Sequence, residues 1–252
     1  MSYNNTVNAQ AGFVLHARPY RETSLILEIL TADYGRVGLV ARGVRGKKSR
    51  QSGLIQPFVP LVLDWRGRGE LHTLNNAESR YQIMQKSGRT LMSCLYVNEL
   101  LLRVLHRNDP HPGIFYHYET LINDINDDNA ERLLRIFETR LLNELGYGLL
   151  LDTQADKNIA VEPDRKYTYV PEYGPVEFDE TIANGVSVSG KVLLALATET
   201  LNDRNELSDA KHLLRSVINK CIGNRPLNSR ALYQSLSRQI RNTEQPVIEE
   251  VK

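Results

Sequence analysis

Apolar residues recur with two different periods along this chain. Up to about residue 80 they recur every second position; from about residue 87 they recur every third or fourth. The first regime predicts five short strands: Gly12–Ala17, Ser24–Thr31, Arg36–Arg42, Phe58–Trp65 and Leu71–Ala77. Leu25, Leu27 and Ile29 alternate with Ile26 and Leu30, so the second strand reads as buried on both faces. Pro60 interrupts the fourth, and the fifth is short and polar. Asp33-Tyr34-Gly35 and Arg66-Gly67-Arg68-Gly69 are turn signals between strands. Five short strands within about 70 residues suit a small barrel, closed or partly open.

The second regime predicts helices. Leu91, Cys94, Leu95, Asn98, Leu101, Leu102 and Leu105 share one helical stripe. Asp109-Pro110 opens a second helix over about Pro112–Asn123, and a third spans about Asn129–Leu145 before Gly146. Residues 152–186 break the pattern with Pro163, Pro171, Gly174, Pro175 and Gly185. They read as an irregular or small β insertion, held by Tyr167, Tyr169, Tyr173, Val161, Val170, Val176 and Phe178. Helices resume at about Ser189–Thr200, Leu207–Ile222 and Ser229–Ile240, with Ser208 and Ser229 as N-caps. The polar stretch 242–252 is expected to be disordered. The fold class is therefore α+β: a barrel over residues 1–82, then a helical domain over 83–241 with the insertion at 152–186.

Composition adds exclusions. The 41% hydrophobic and 24% charged content is ordinary for a globular protein. No apolar run approaches the roughly 20 residues that span a bilayer. The polar start MSYNNTVNAQ is not a secretory signal, so a cytoplasmic location is expected. Cys94 and Cys221 fall in apolar helical patterns and read as inert thiols. His16, His72, His106, His111, His117 and His212 form no ligand pair, and no metal or cofactor site is expected. Gly46-Lys47-Lys48-Ser49 fails the phosphate-loop pattern, which would need Gly at Ala41 and Ser or Thr at Lys48. No nucleophile–base pair is evident, so no catalytic residue is assigned and the chain is not read as an enzyme.

Charge changes the picture most. Residues 1–82 hold 11 Lys and Arg against six Asp and Glu; the rest holds 20 against 24. Such asymmetry points to a polyanion-binding face on the barrel half. Arg36, Arg42, Arg45, Lys47, Lys48 and Arg50 crowd into Gly35–Gly53 with no acid among them. Glycine joints let backbone approach phosphates, and each neutralised phosphate releases counterions. A solvated loop without a partner is the bland alternative. A five-stranded barrel of this size is the OB fold, whose strand face and loops bind oligonucleotides, and that favours the sharper reading. Arg66 and Arg68 are secondary candidates, and Arg18 and Arg21 follow. Tyr20, Tyr34 and Trp65 are candidate stacking platforms, weighed against turn and core packing. Glu99 reads as a polar anchor without an identified partner.

The chain resembles the RecO family of bacterial recombination mediators over nearly its whole length. The N-terminal part carries Ala11-Gly12-Phe13-Val14-Leu15, Arg21-Glu22-Thr23-Ser24, Gly35-Arg36-Val37 and Ala41-Arg42-Gly43-Val44-Arg45. Leu54-Ile55-Gln56-Pro57-Phe58, Gly69-Glu70-Leu71, Tyr96-Val97-Asn98-Glu99-Leu100-Leu101 and Leu145-Gly146-Tyr147-Gly148 continue the set. The resemblance implies an OB-fold domain followed by a helical domain. It implies binding of single- and double-stranded DNA and annealing of complementary strands. It further implies contact with the acidic C-terminal tail of single-stranded DNA-binding protein (SSB) and with RecR, loading of RecA in gap repair, and association with the nucleoid during repair. Many family members carry a four-cysteine zinc module where Asp152–Gly185 here has no cysteine. An acidic tail needs an apolar groove rimmed by cations, for which Arg132, Arg135, Arg140, Arg103 and Arg107 are the helical-domain candidates. An OB-fold RNA-binding protein is the alternative reading.

Overall fold

A computed structural model describes residues 5–46, 51, 53–82, 85–223 and 226–229. Strands β1 (Asn5–Tyr20), β2 (Ser24–Thr31), β3 (Gly35–Ala41), β4 (Pro60–Gly67) and β5 (Leu71–Ser79) close a barrel in the order β1-β2-β3-β5-β4. Neighbours are antiparallel except β3 and β5, which run parallel through Gly38↔Leu71 to Val40↔Thr73. β1 is far longer than the Gly12–Ala17 expected, because two partners share it. Its first part pairs with β4 and its second with β2. The register slips between Val7 and Gln10, where Ala9 takes φ +53° and its N–H donates to Asp64 Oδ1 at 2.7 Å. That bulge bends one strand around the barrel. Val14, Leu27, Ile29, Val37, Leu39, Leu61, Leu63 and Trp65 fill the interior.

Helices α1 (Gly88–Val104), α2 (Pro112–Asp124), α3 (Ala130–Glu144), α4 (Gly190–Ala197) and α5 (Arg204–Ile222) follow. A three-stranded antiparallel sheet of β6 (Lys166–Val170), β7 (Gly174–Glu177) and β8 (Val186–Ser189) forms the insertion, with β6 central. The expected helix over Ser229–Ile240 lies outside the described residues beyond Ser229, as does the stretch 242–252.

Several local expectations are corrected. α2 starts at Pro112 as expected, but His111 rather than Asp109-Pro110 holds the position before it; proline's fixed φ suits that first position. Ser208 lies inside α5. Asp203 caps that helix instead, accepting from the N–H groups of Asn205 (2.7 Å) and Glu206 (3.3 Å), and the Glu206 carboxylate reaches back to the Asp203 N–H. In the insertion Tyr167, Tyr169 and Val161 are buried, but Tyr173 and Phe178 face outward. The Lys166 ammonium sits 4.1 Å from the Phe178 ring centre.

The barrel and the helices share a core. Phe13 of β1 packs edge-on to Tyr118 of α2 at 5.2 Å between ring centres and tilts against Phe115. Asn98, buried in α1, donates to the Leu15 carbonyl (2.9 Å) and accepts from the Tyr118 hydroxyl (2.7 Å). One amide thus satisfies a barrel strand and two helices at once, as a buried polar group must.

Candidate functional site

The basic loop begins where β3 ends. Arg42 and Arg45 are exposed, and Val44 between them is buried in the barrel. Gly43 adopts φ +71° with open space where a Cβ would stand, so the turn needs glycine for its backbone rather than for fit. The Arg45 N–H donates to the Thr23 carbonyl (2.9 Å), tying the loop to the β1–β2 turn. That turn carries Arg21, and Arg18 lies near the end of β1; both are exposed, with the Arg21 guanidinium 5.2 Å from the Tyr20 ring centre. Ile55, also buried, anchors the loop's far side. Lys47, Lys48 and Arg50 lie outside the described residues. The sequence therefore pins a cationic loop by one apolar residue on each flank and turns Arg42 and Arg45 outward.

Arg36 belongs elsewhere. Its guanidinium is partly buried, donates to the Leu102 carbonyl of α1 at 2.6 Å and stands 3.6 Å from Glu28. Burial pulls its pKa below the ordinary arginine value, with Glu28 partly opposing. Glu28 also takes the Arg107 guanidinium. That hydrogen bond, helped by the Glu28 charge, holds Arg107 above its ordinary value. Arg36 and Arg107, both sequence candidates for ligand contact, are thus partners in the joint between barrel and helices. Nearby, Gly35 adopts φ +65°, and a Cβ there would run into the Asp109 carbonyl.

Arg66 is exposed near the end of β4, and Arg68 is exposed in the β4–β5 turn. This turn precedes β5 and the basic loop follows β3, so with β3 and β5 parallel they lie toward opposite ends of that strand pair. Arg66 itself pairs with Thr73, which pairs with Val40 two residues before Arg42, so Arg66 stands level with the root of the basic loop, two strands away. Trp65 is core, in edge contact with the half-exposed Tyr34 at 5.5 Å.

On the helical side, the arginine candidates are mostly occupied. Arg135 is buried and paired with Glu138 at 2.9 Å, and Arg140 holds Glu199 through two bonds of 2.6 and 2.5 Å. Arg103 stands 3.6 Å from Glu99, and Arg132 reaches the Glu199 carbonyl at 3.5 Å. Between α1, α3 and α5, however, opens a groove of about 250 Å³. Met92, Leu134 and Leu207 supply apolar lining; Arg135, Lys211 and Arg215 supply cations. Glu138 pairs with Arg135 and Glu131 stands 3.9 Å from Lys211, which leaves Arg215 uncompensated among the described residues. Among the described residues, Arg135 Nε and Glu138 Oε2 lack hydrogen-bond partners. Sequence reasoning missed Lys211 and Arg215; their spacing of four places both on one face of α5, which was the available signal.

Glu99 finds its partner at the groove's edge. Its carboxylate accepts from the Asn228 N–H (2.9 Å), the Ser229 N–H (2.8 Å) and the Ser229 hydroxyl (2.7 Å). The Ser229 hydroxyl thus donates to an ionised carboxylate, a strong acceptor, while the amides it is expected to cap lie outside the described residues. Burial alone would raise the Glu99 pKa, but the Ser229 and Asn228 bonds outweigh it and hold the carboxyl below its usual range. Burial pushes the Cys94 thiol up to about 12, an unreactive state. No group of three metal-ligating side chains occurs among the described residues, nor any helix long and apolar enough to cross a membrane.

A closed five-stranded barrel, joined through a shared core to a helical domain, defines a protein with an OB-type N-terminal domain. The family model for the N-terminal part of recombination protein O matches residues 6–83, and that for its C-terminal part matches residues 85–231. The chain belongs to this RecO family. It is 44% identical over 230 residues to the DNA repair protein RecO of Nitrosococcus oceani, covering 91% of this chain and 94% of that one. With the DNA repair protein RecO of Aromatoleum aromaticum it shares 42% identity over 236 residues, covering 94% and 99%. That of Coxiella burnetii is 40% identical over 226 residues, covering 90% and 97%.

Proposed function

We propose that this protein is a non-catalytic DNA repair and recombination mediator. Its barrel half, residues 1–82, binds single- and double-stranded DNA through Arg42, Arg45, Lys47, Lys48 and Arg50. Its helical half, residues 83–241, receives protein partners: the acidic C-terminal tail of SSB, and RecR for the loading of RecA. The observation that carries the reading is the outward pair Arg42 and Arg45 on a loop pinned by buried Val44, within a barrel half of net positive charge. The family membership supports it, since the similar proteins are named DNA repair proteins.

Phosphate contacts made by exposed cations carry no sequence preference, which suits a protein that pairs arbitrary complementary strands. Neutralising two backbones at one surface lowers the repulsion that keeps them apart. The groove between α1, α3 and α5 supports the tail reading better than the helix arginines do. It joins apolar walls to Arg215, uncompensated among the described residues, and to the exposed Lys211. Holding SSB there while the loop holds DNA raises the effective concentration of each without a tight individual site.

The test is annealing of complementary oligonucleotides coated with SSB, in the absence of ATP. Wild type is expected to anneal them, and Arg42→Glu/Arg45→Glu and Lys47→Glu/Lys48→Glu variants to lose most of that activity. Unchanged annealing by both variants would remove the loop assignment. An RNA oligomer that displaces DNA at equal concentration would move the reading to an OB-fold RNA-binding protein.

A further inference from the structure

We infer that the chain's own segment 242–252 docks in the groove between α1, α3 and α5 and competes there with acidic partners. The inference rests on the reading of that groove as an acidic-peptide site. Four observations lead to it.

The first is chemical complementarity. The segment reads Asn242-Thr-Glu-Gln-Pro-Val-Ile-Glu-Glu-Val-Lys252. Glu244, Glu249 and Glu250 outnumber Lys252, and Val247, Ile248 and Val251 are apolar. The groove complements it, with apolar Met92, Leu134 and Leu207 for the apolar side chains and cationic Lys211 and Arg215 for the carboxylates. The second is charge. Both groove carboxylates already face a cation, so the residual charge belongs to Arg215.

The third is position. Ser229 itself lines the groove, and Glu99 fixes Asn228 and Ser229 by three hydrogen bonds, so the chain leaves from the groove's edge. The helix expected over 230–240 advances roughly 16 Å at about 1.5 Å per residue. Residues 242–252, extended, reach roughly 36 Å at about 3.3 Å each, which is more than enough to return. The fourth is Pro246: proline disfavours helical backbone at the residue before it, so this sequence suits an extended approach to the groove.

A tether makes weak docking matter. An effective concentration of about 1 mM against a Kd of about 0.1 mM weakens any competing peptide about tenfold. The groove would then be selective for partners presented in many copies, as on a coated strand, over a lone acidic peptide.

The experiment uses a fluorescent peptide of residues 242–252 added to three full-length proteins: wild type, Val247→Ser/Ile248→Ser and Lys211→Glu/Arg215→Glu. The substituted positions of the last pair are exposed, and a thermal melt checks that it folds. The expected result is binding to the Val247→Ser/Ile248→Ser protein about tenfold tighter than to wild type, and none to the Lys211→Glu/Arg215→Glu protein. Equal affinity for wild type and the Val247→Ser/Ile248→Ser protein overturns the inference. The C-terminal peptide of SSB, titrated in parallel, separates the two ideas. If it binds the groove and the 242–252 peptide does not, this inference falls and the groove reading stands. If neither binds, both fall.

Discussion

At the scale of single residues, the ionisable groups with perturbed pKa values hold structure together. Glu99 shows this most clearly. It sits on one helical face of α1, and nothing in its neighbourhood along the chain names a partner; the partner lies 130 positions later. No periodic pattern reports a contact of that separation, whereas Arg42 and Arg45 were legible because their whole signal is local: glycines, cations and no acid. Glu99→Gln removes a charge-assisted set of bonds and is expected to cost about 1–3 kcal/mol. The pH dependence has a definite sign. Because the folded pKa is held below the unfolded one, the stabilisation is present above the ordinary glutamate range. It is lost as pH falls through the folded value. Hydrogen exchange at the Asn228 and Ser229 amides measures it: protection in wild type should drop on acidification, and Glu99→Gln should show that low protection already at neutral pH. Equal protection in the two proteins at neutral pH would refute the account.

Elements were legible where one period ran uninterrupted. β2 and β3 fall within a residue of expectation, as does α3 against the expected Asn129–Leu145. β1 did not, because its bulge at Ala9 resets the alternation and its polar start, Asn5–Gln10, reads as a tail. The cap of α5 was missed although Asp203 and Glu206 stand at capping-box spacing; the apolar stripe begins only at Leu207 and drew the boundary late. The contact between the β2–β3 turn and the α1–α2 connection was hidden altogether. It depends on Gly35, whose φ of +65° and lack of a Cβ let the Asp109 carbonyl approach. Thr31 braces the same turn, donating to the Gly35 carbonyl at 2.8 Å and accepting from the Tyr34 N–H at 3.1 Å. Gly35→Ala is expected to cost more than the roughly 1 kcal/mol of left-handed backbone strain, since the turn must also move off Asp109. Denaturant unfolding compared with Gly43→Ala makes the test internal. Gly43 has a similar φ and open space, so it carries the strain alone. Equal losses at the two glycines would show that the close approach contributes nothing.

The whole molecule divides its arginines between two tasks that a sequence alone cannot tell apart. Arg36 and Arg42 are six residues apart in one cationic run, yet one is built into the joint with α1 and the other faces outward. The difference is burial, and burial is decided by where α1 packs, not by the run itself. This yields a contrast that a salt titration can read. On single-stranded DNA, each phosphate left without its cation lowers the slope of log K against log salt by about 0.7. Arg42→Ala/Arg45→Ala should therefore reduce the slope by about 1.4 while leaving the melting temperature near that of wild type, because both side chains are exposed. Arg36→Met should do the reverse. It strands the Leu102 carbonyl and leaves Glu28 with Arg107 alone, so the melting temperature falls while the salt slope stays. A reduced slope in Arg36→Met without loss of stability would return Arg36 to the DNA-binding set. It would also mean that the joint between barrel and helices opens when DNA binds.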